Sequence, residues 1–380
     1  MESEINICIL GSMDDFVVIN QSTPNALLSE MLNSLYSRED SYNTGQSDRA
    51  LIAKWKTNAR YQMSEVPSVP IFGYKQVDLS GSFENVSLYS KNFNNAEEFL
   101  EAFQSVIWIT YRYGFEPIIY KDKIFTSDTG WGCTIRVGQM LLLNTLKFHF
   151  RLSSSSQLLE LIQENLTAAP FSLHKIVECG KNFNKNPGDW YSPALISHVI
   201  QALSETFEIP GMKILVCMDN TIYKNKIPEN EACLILIPFM LGIENIQPEY
   251  YEVIKSFLSL EWTVGIIGGI PKSALYIVGF QGDNLLFLDP HFVQLACTSG
   301  QDLLNKINTY QCSSPKLLPL SVAESSLSVG FYFRNKSEFY NFENFVSKSS
   351  GALREILNFK DKDIDSNIQE DNSDEDFYLV

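Results

Sequence analysis

The sequence predicts an α+β fold, and two patterns together with the composition indicate it. Short runs rich in β-branched residues, typical of buried strands, fill the second half of the 380-residue chain. Amphipathic stretches with helical periodicity fill the first half and separate some of the strands. The composition is 45% hydrophobic and 19% charged, which is typical of a globular protein long enough to bury a full core.

The charge and the cysteines exclude several classes of function. A formal net charge of -16 at pH 7 argues against a nucleic-acid partner, which favours a basic protein face. The seven cysteines are scattered and contain no Cys-x-x-Cys pair, so we expect neither a disulfide framework nor a structural zinc site. Free thiols indicate a reducing compartment, and we therefore predict a cytoplasmic protein.

The chain start and the apolar runs bear on membrane targeting. The acidic start, Met1 to Glu4, does not resemble a secretory signal. The longest apolar run, residues 233–243, contains Pro238 and is too short to span a bilayer. The sequence therefore predicts neither secretion nor a membrane span.

The first part of the chain is predicted to be peripheral. Residues 1–65 are expected to lie outside the main domain, with a helix that begins at Thr23-Pro24. The main domain is predicted to span residues 66–350, and its first strand is expected at residues 69–77. Asn95 caps its first helix, which residues 108–112 close. A loop at residues 113–128 is expected to follow.

The rest of the chain divides into three parts. Residues from about 150 to 210 are predicted to form a small helical subdomain beside the main sheet. Residues 351–380 are acidic and polar and are predicted to be disordered. Between them we expect helices at residues 249–259 and 337–347, and strands at residues 213–218, 233–238, 264–267, 274–280, 285–288 and 329–333.

Cys133 is the first candidate for chemistry. It follows the turn Gly130-Trp131-Gly132, and a helical periodicity begins directly after it. The free N–H groups and the dipole at the start of a helix stabilise a negative charge. A cysteine in that position has a lowered pKa and is a good nucleophile at neutral pH. The alternative is that Cys133 is a small buried apolar residue, as most single cysteines are.

Asp289 and His291 form the second candidate group. They lie two residues apart at the end of a predicted strand and therefore point to the same face. A carboxylate beside an imidazole favours the protonated ring, and an imidazolium stabilises a cysteine thiolate. The hypothesis is an ion pair between Cys133 and His291, steadied by Asp289. The alternative is that Asp289-Pro290-His291 is only a turn that ends a strand.

Two motifs resemble those of the autophagins, the autophagy-related cysteine proteases with a papain-like fold. Residues Thr126 to Cys133 resemble their nucleophile motif, and residues Gly268 to Tyr276 with Leu288 to His291 resemble their second motif. Weaker similarity extends the likeness over about residues 69–348. The resemblance implies a papain-like fold. Together with the small helical subdomain predicted at about residues 150–210, it leads us to expect a cysteine protease that needs no metal and no organic cofactor.

The resemblance also implies a substrate, the ubiquitin-like modifier of autophagy. Members of this family cut the peptide bond after the C-terminal glycine of the modifier precursor. They also release the modifier from phosphatidylethanolamine, which implies transient contact with autophagic membranes through the substrate. A rival interpretation is a papain-like protease acting on ubiquitin or another ubiquitin-like modifier. A second rival is an inactive module that keeps the fold and captures the modifier.

The resemblance assigns roles residue by residue. By position, Cys133 matches the nucleophile, Asp289 the carboxylate and His291 the base. Tyr111 matches a tyrosine that helps to hold the oxyanion together with the backbone N–H of Cys133. Trp190 matches a tryptophan on a loop that lies over the active site.

Two further matches concern access to the site. Gly269 and Pro271 fall in a stretch that resembles the regulatory loop that opens for the substrate tail. A narrow slot roofed by Trp131, Trp190 and Tyr111 suits a glycine tail, which has no side chains; the alternative for each ring is core packing.

The end of the chain has a possible binding role of its own. Phe377 and Val380, behind the acidic residues 374–376, resemble the short motif that binds the autophagy modifier. An aromatic and an aliphatic residue at this spacing suit β-addition to an exposed sheet edge. The alternative is a solvated acidic tail.

Overall fold

A computed structural model of the chain describes residues 26, 28–30, 32, 74–80, 83–164 and 169–362. The strands are β1 (Lys75–Gln76), β2 (Val86–Leu88), β3 (Lys91–Phe93), β4 (Tyr111–Tyr120), β5 (Lys123–Ser127), β6 (Met212–Val216), β7 (Thr221–Tyr223), β8 (Ala232–Asn245), β9 (Thr263–Ile270), β10 (Ser273–Gln281), β11 (Asn284–Leu288), β12 (Val293–Leu295), β13 (Lys316–Pro319), β14 (Glu324–Phe333) and β15 (Asn358–Lys360). The α-helices are α1 (Ala96–Gln104), α2 (Cys133–His149), α3 (Ser156–Leu159), α4 (Leu173–Gly180), α5 (Pro193–Thr206), α6 (Tyr251–Ser259), α7 (Gly300–Asn305), α8 (Lys336–Lys348) and α9 (Ala352–Ile356). The predicted α+β class is confirmed.

A ten-stranded sheet forms the centre of the molecule. Its strand order is β1-β13-β11-β10-β9-β14-β8-β6, with β2 added to β10 and β3 to β2. All of these pairs are antiparallel except β6 with β8. Because side chains alternate along a strand, the sheet buries a different set on each face. Ile267 and Tyr276 lie in one core with α2, whereas Ile266 and Ile277 lie in a second core with α6 and α8.

Helix α2 is the central helix of the first core. Every residue from Cys133 to Leu146 is buried, because α2 is covered by β9 and β10 on one side and by α5 on the other. Gly138 permits the close approach of α5, since a Cβ there would lie 2.5 Å from Ile196 Cγ1. Helices α3, α4 and α5, in the predicted helical subdomain, share this core with α2. Leu28 and Leu32, from the helical residues near the chain start, also pack into it.

The prediction of a loop at residues 113–128 was wrong. This segment forms most of β4 and all of β5, which pair as an antiparallel hairpin, and β12 adds to β4 in parallel. The strand was not recognised in the sequence because Gly114 and Pro117 are both unfavourable inside a β-strand. The pairing register shifts between Tyr113 and Ile118, so an irregularity in the ladder accommodates them.

The prediction of disorder from residue 351 was wrong for its first part, because Ala352–Ile356 forms α9 and Asn358–Lys360 pairs with β7 as β15. Most other predicted elements were correct in type but shifted in their bounds. Strand β8 runs on to Asn245, beyond the predicted end at residue 238. The β6 ladder ends opposite Leu236, so β8 is an edge strand from Pro238 onward on that side. Proline lacks an N–H group and is tolerated at such an edge. Helix α1 ends at Gln104, and the first strand covers only residues 75–76 of the predicted 69–77, of which 69–73 lie outside the described residues.

Candidate active site

Cys133 is the first residue of α2 and is 7% exposed. Burial alone would raise the pKa of its thiol. Hydrogen bonds with the His291 side chain, the Ala274 N–H and the Tyr111 hydroxyl act in the opposite direction, and the resulting pKa lies below the ordinary value. The start of α2 therefore presents a thiol that ionises readily, because these neighbouring groups outweigh the effect of burial.

His291 and Asp289 follow β11 and lie against each other. The Asp289 Oδ1 atom is 2.7 Å from His291 Nδ1 and also accepts the His291 backbone N–H at 3.0 Å. Burial lowers the pKa of His291, but its hydrogen bonds with Asp289 and Cys133 outweigh burial and raise that pKa to about 9. The structure thus brings Cys133, His291 and Asp289 into one hydrogen-bonded chain, in which a thiolate and an imidazolium stabilise each other.

Two residues that the sequence reasoning missed hold Asp289. The Trp108 indole N–H donates to the Asp289 backbone oxygen at 2.7 Å. The Lys316 ammonium lies 3.2 Å from Asp289 Oδ2, on the side of the carboxylate away from His291. Together with His291, Lys316 keeps the pKa of Asp289 below its ordinary value although burial opposes this. No pattern around Lys316 could have indicated this contact, because it depends on the pairing of β13 with β11.

Tyr111 places a hydroxyl on the other side of the sulfur. It is the first residue of β4, and its hydroxyl is within hydrogen-bonding range of the Cys133 side chain and the Gly130 N–H. Burial raises its pKa well above the usual range, so the hydroxyl keeps its proton at neutral pH. The ring also stands edge-on to the His291 ring, with 5.4 Å between centroids. Tyr111 can therefore donate a hydrogen bond to an oxygen that develops negative charge near the sulfur.

The predicted aromatic slot is only partly present. Trp190 is 49% exposed, and its indole N–H donates to the Gly130 carbonyl at 2.8 Å, which places it over the turn before Cys133. Trp131 instead belongs to the core, and its indole N–H donates to the Ser127 carbonyl. Two of the three predicted rings, Trp190 and Tyr111, thus border the site. The third ring, Trp131, packs in the core instead.

The β9–β10 hairpin lies against the side chains of Cys133 and His291. Its turn is Pro271-Lys272, where Lys272 has a φ of 67°. Gly269 has a φ of 145°, and a Cβ there would lie 2.1 Å from the Ser273 carbonyl oxygen. The Ser273 Oγ atom is 2.9 Å from His291 Nε2, and the next residue supplies the N–H bonded to Cys133. The hairpin therefore contacts the side chains of both Cys133 and His291, which sequence patterns alone did not predict.

Several expectations concern features away from this site. The tail residues Phe377 and Val380 lie outside the described residues. Within the part of the chain that the structure describes, no three His, Cys, Asp or Glu side chains are grouped to hold a metal ion. None of the helices described is both long enough and apolar enough to cross a bilayer.

Comparison with known proteins assigns the chain to a family. Residues 96–345 match the model of the peptidase C54 catalytic domain. The cysteine protease ATG4C of Xenopus tropicalis is 34% identical over an alignment of 316 residues, which covers 64% of this chain and 69% of the relative. Human ATG4C is 31% identical over 350 residues, covering 71% of this chain and 74% of the relative.

A fungal relative and one solved structure complete the comparison. The probable cysteine protease atg4 of Aspergillus niger is 33% identical over 323 residues, covering 72% of this chain and 80% of the relative. Among solved structures, UfSP from C. elegans is similar with a TM-score of 0.26 and 15% identity, covering 60% of this chain and 34% of that chain. This last likeness is too weak to support an argument.

Proposed function

Because the chain belongs to the peptidase C54 family of cysteine proteases, we propose that it cleaves ubiquitin-like modifiers of autophagy after their C-terminal glycine. Family membership confirms the predicted autophagin resemblance, the papain-like fold class and the assignment as a cysteine peptidase. The observation that carries the proposed reaction is the chain of contacts from Cys133 through His291 to Asp289.

The proposed reaction begins at the sulfur. The Cys133 thiolate attacks the carbonyl carbon of the last glycine, and the carbonyl oxygen becomes negative. The Cys133 backbone N–H and the Tyr111 hydroxyl donate to that oxygen. The C–N bond then breaks as His291 gives its proton to the leaving amine, which leaves a thioester on Cys133. His291 next takes a proton from water, and the hydroxide attacks the thioester. The C–S bond breaks, which restores the Cys133 thiolate, and the glycine carboxylic acid so formed loses its proton to the solvent.

Removal of the modifier from phosphatidylethanolamine uses the same steps. In the lipid conjugate the glycine carbonyl is joined to the ethanolamine nitrogen through an amide. His291 would protonate that nitrogen as it would a peptide nitrogen. We therefore propose both precursor maturation and lipid release for one site, with membrane contact only through the bound substrate.

The surroundings of the sulfur support a preference for glycine. Trp190 and Tyr111 border the approach to the sulfur. The β9–β10 hairpin bonds to Cys133 through the Ala274 N–H and to His291 through Ser273. A substrate tail must displace this hairpin to reach the sulfur. A backbone without side chains fits between the rings and the displaced turn with the least crowding, and Gly269 and Pro271 are proposed to set how that turn moves.

An exposed apolar surface near the site supports a globular substrate. Met240 is 66% exposed and Ile243 is 92% exposed, both on the part of β8 that is an edge. Strand β8 pairs with β14 as Met240 with Ser326, and β14 pairs with β9 as Ser328 with Ile267. The exposed end of β8 therefore lies at the same end of the sheet as the β9–β10 turn. Apolar side chains so exposed suit contact with the folded part of the modifier.

The test uses fusions that differ in one feature at a time. Purified enzyme is incubated with the autophagy modifier bearing extra residues after its glycine, with the same fusion carrying alanine at that position, and with a ubiquitin fusion. We expect cleavage of the first substrate at least about 100-fold faster than of the other two. Cleavage of the ubiquitin fusion alone would overturn the proposed substrate and favour the rival protease. No cleavage of any fusion would favour the inactive binding module.

Lipid release and the tail are tested separately. Vesicles carrying the lipid-conjugated modifier should lose it to the supernatant on addition of enzyme, and retention on the vesicles would remove this half of the proposal. The tail residues Phe377 and Val380 are proposed to add affinity for the modifier. Alanine at both positions should weaken modifier binding without changing cleavage of a saturating substrate, and an unchanged dissociation constant would argue against the tail motif.

A further inference from the structure

The buried carboxylate of Asp128 links the two parts of the chain that surround the sulfur. Asp128 follows β5, and none of its surface is exposed. Its Oδ1 atom accepts the Arg112 backbone N–H at 2.7 Å, directly beside Tyr111 on β4. Its Oδ2 atom accepts the Arg136 Nε–H at 2.7 Å, one helical turn after Cys133 on α2. One carboxylate therefore bonds to the strand that carries Tyr111 and to the helix that carries Cys133.

The backbone of Asp128 reinforces the same link. Its N–H donates to the Arg112 carbonyl at 3.2 Å. Its carbonyl oxygen accepts the N–H groups of Trp131 and Gly132 at 3.1 and 2.8 Å, which closes the turn before the nucleophile. Gly132 is needed for this arrangement, because a Cβ there would lie 2.3 Å from Asp128 Oδ2.

Arg136 is held on its far side by a second carboxylate. Its Nη1 atom lies 2.7 Å from Glu164 Oε1 and 3.1 Å from Gln139 Oε1, and none of its surface is exposed. Desolvation of such a network offsets much of its attraction, so a buried ion pair by itself is weak support for a role in stability. What distinguishes this network is that its bonds end on the two elements that flank the sulfur.

We propose that Asp128 and Arg136 are positioning residues that set the separation between the Tyr111 hydroxyl and the Cys133 sulfur. This inference rests on the proposed function, because it assumes that Tyr111 donates to the oxyanion. Such a donor is effective only near hydrogen-bonding distance of the developing charge. A displacement of about 1 Å can cost on the order of 100-fold in rate.

The test replaces one bond at a time. Asp128→Asn keeps an oxygen for the Arg112 N–H but directs an amide N–H group at Arg136, so only the helix side of the link is lost. Gly132→Ala keeps every charge and pushes a methyl group into Oδ2. Arg136→Lys keeps the charge but loses the forked geometry. Leu146→Ala, near the far end of α2, is the matched control for loss of thermal stability.

The readouts separate positioning from loss of folding. We expect Asp128→Asn and Gly132→Ala to lower kcat about 100-fold, with KM and modifier affinity nearly unchanged. Arg136→Lys, which keeps the charge, should lower kcat by less than these two substitutions. Alkylation of Cys133 by iodoacetamide, which needs no oxyanion donor, should change less than about 5-fold in the same variants. Leu146→Ala should lower the melting temperature with kcat nearly unchanged.

Two outcomes would overturn the inference. One is a loss of kcat in the Asp128 and Gly132 variants no larger than in Leu146→Ala at an equal loss of melting temperature. The other is a loss of alkylation rate as large as the loss of kcat, since the network would then act on the ion pair. If the unaltered enzyme cleaves only the ubiquitin fusion, the proposed substrate fails, and the same comparison on that fusion still tests the inference.

Discussion

Two buried regions of this protein contain cysteines with opposite properties. Cys133 at the start of α2 has a lowered pKa, whereas burial raises the pKa of Cys217, after β6, to about 12. Burial likewise raises the pKa of Cys233, inside β8, and the neighbouring Cys217 and Glu231 raise it further. All three are less than 10% exposed. Burial therefore opposes ionisation in both regions, and polar neighbours alone account for the difference.

The neighbours differ because the elements differ. The start of α2 lies beside a hairpin, the end of β11 and the start of β4. Each of the three supplies a group that bonds to the sulfur: Ala274, His291 and Tyr111. Within the sheet, ladder bonds already use the backbone groups beside Cys233. A helix start surrounded by strand ends can thus hold an anion, whereas a strand interior cannot.

Replacing a cysteine by serine in each region should produce the largest expected difference in kcat/KM. Cys133→Ser should lower kcat/KM on the order of 10⁴-fold or more, because the hydroxyl stays protonated beside His291. Cys217→Ser and Cys233→Ser should keep kcat/KM within about 3-fold while destabilising the fold by about 1 kcal/mol. Steady-state cleavage of the modifier fusion and thermal unfolding measure the two quantities. A kcat/KM of Cys133→Ser within tenfold of that of the unaltered enzyme would contradict the distinction between Cys133 and the other two cysteines.

The charge of Asp289 should have the next largest effect. Asp289→Asn keeps an oxygen for His291 but removes the negative charge that favours the imidazolium, so the pKa of His291 should fall. We expect kcat to fall about 100-fold at pH 7, with an unchanged affinity for the modifier. A matched control is Asp283→Asn, since the Asp283 carboxylate pairs with Lys255 at the surface. Equal kcat values for the two variants would contradict a role for the Asp289 charge.

One part of the candidate site could be predicted from the sequence, and another part could not. Cys133, Asp289 and His291 could be named because helix-start and strand-end patterns are local, and the structure places the three together. Their catalytic roles remain predictions. Ser273 and Ala274 could not be named, because their contacts exist only once the β9–β10 hairpin folds over α2.

The fold shows the same division. Strands with uninterrupted apolar runs, such as β9 and β10, were predicted within a few residues. Strand β4 was missed because Gly114 and Pro117 are tolerated only through a register shift that no local pattern reveals. The contacts of Asp128 with Arg112 and Arg136 were also beyond local patterns, since they join β4 to α2.

Alkylation across pH sharpens the comparison with a cysteine in the same chain. Cys179 is only half-buried, and burial and the charge of Glu178 raise its pKa. At pH 7 we expect iodoacetamide to label Cys133 at least about 10-fold faster, although Cys133 is less exposed. Mass spectrometry of both peptides measures the two rates. Faster labelling of Cys179 would show that access, and not ionisation, governs reactivity.

The pH dependence of kcat/KM should follow from the ionisation of Cys133 and His291. In the proposed reaction the active form needs the Cys133 thiolate and the His291 imidazolium, so kcat/KM should fall at low pH as the thiolate gains a proton. It should also fall above about pH 9, where His291 loses its proton. The two limbs belong to the coupled pair and not to either residue alone. A profile still rising at pH 10 would contradict the proton donor assigned to His291.

The smallest expected effect comes from Lys316, which lies beyond the carboxylate. Its ammonium is 3.2 Å from Asp289 Oδ2, and its charge also lies over the Phe292 ring at 4.6 Å. A positive charge there opposes protonation of His291, so Lys316→Met should raise the pKa of His291. The basic limb of kcat/KM should then move upward by less than about one pH unit.

Lys316→Arg is the matched variant, because it keeps the charge beside Asp289 and should keep the basic limb in place. A downward shift in Lys316→Met would mean that the lysine orients the carboxylate more than it opposes the imidazolium charge. Lys316 would then join the residues that distinguish the surroundings of Cys133 from those of Cys217 and Cys233. The polar neighbours of Cys133 would then depend for their effect on a charge that never contacts the sulfur.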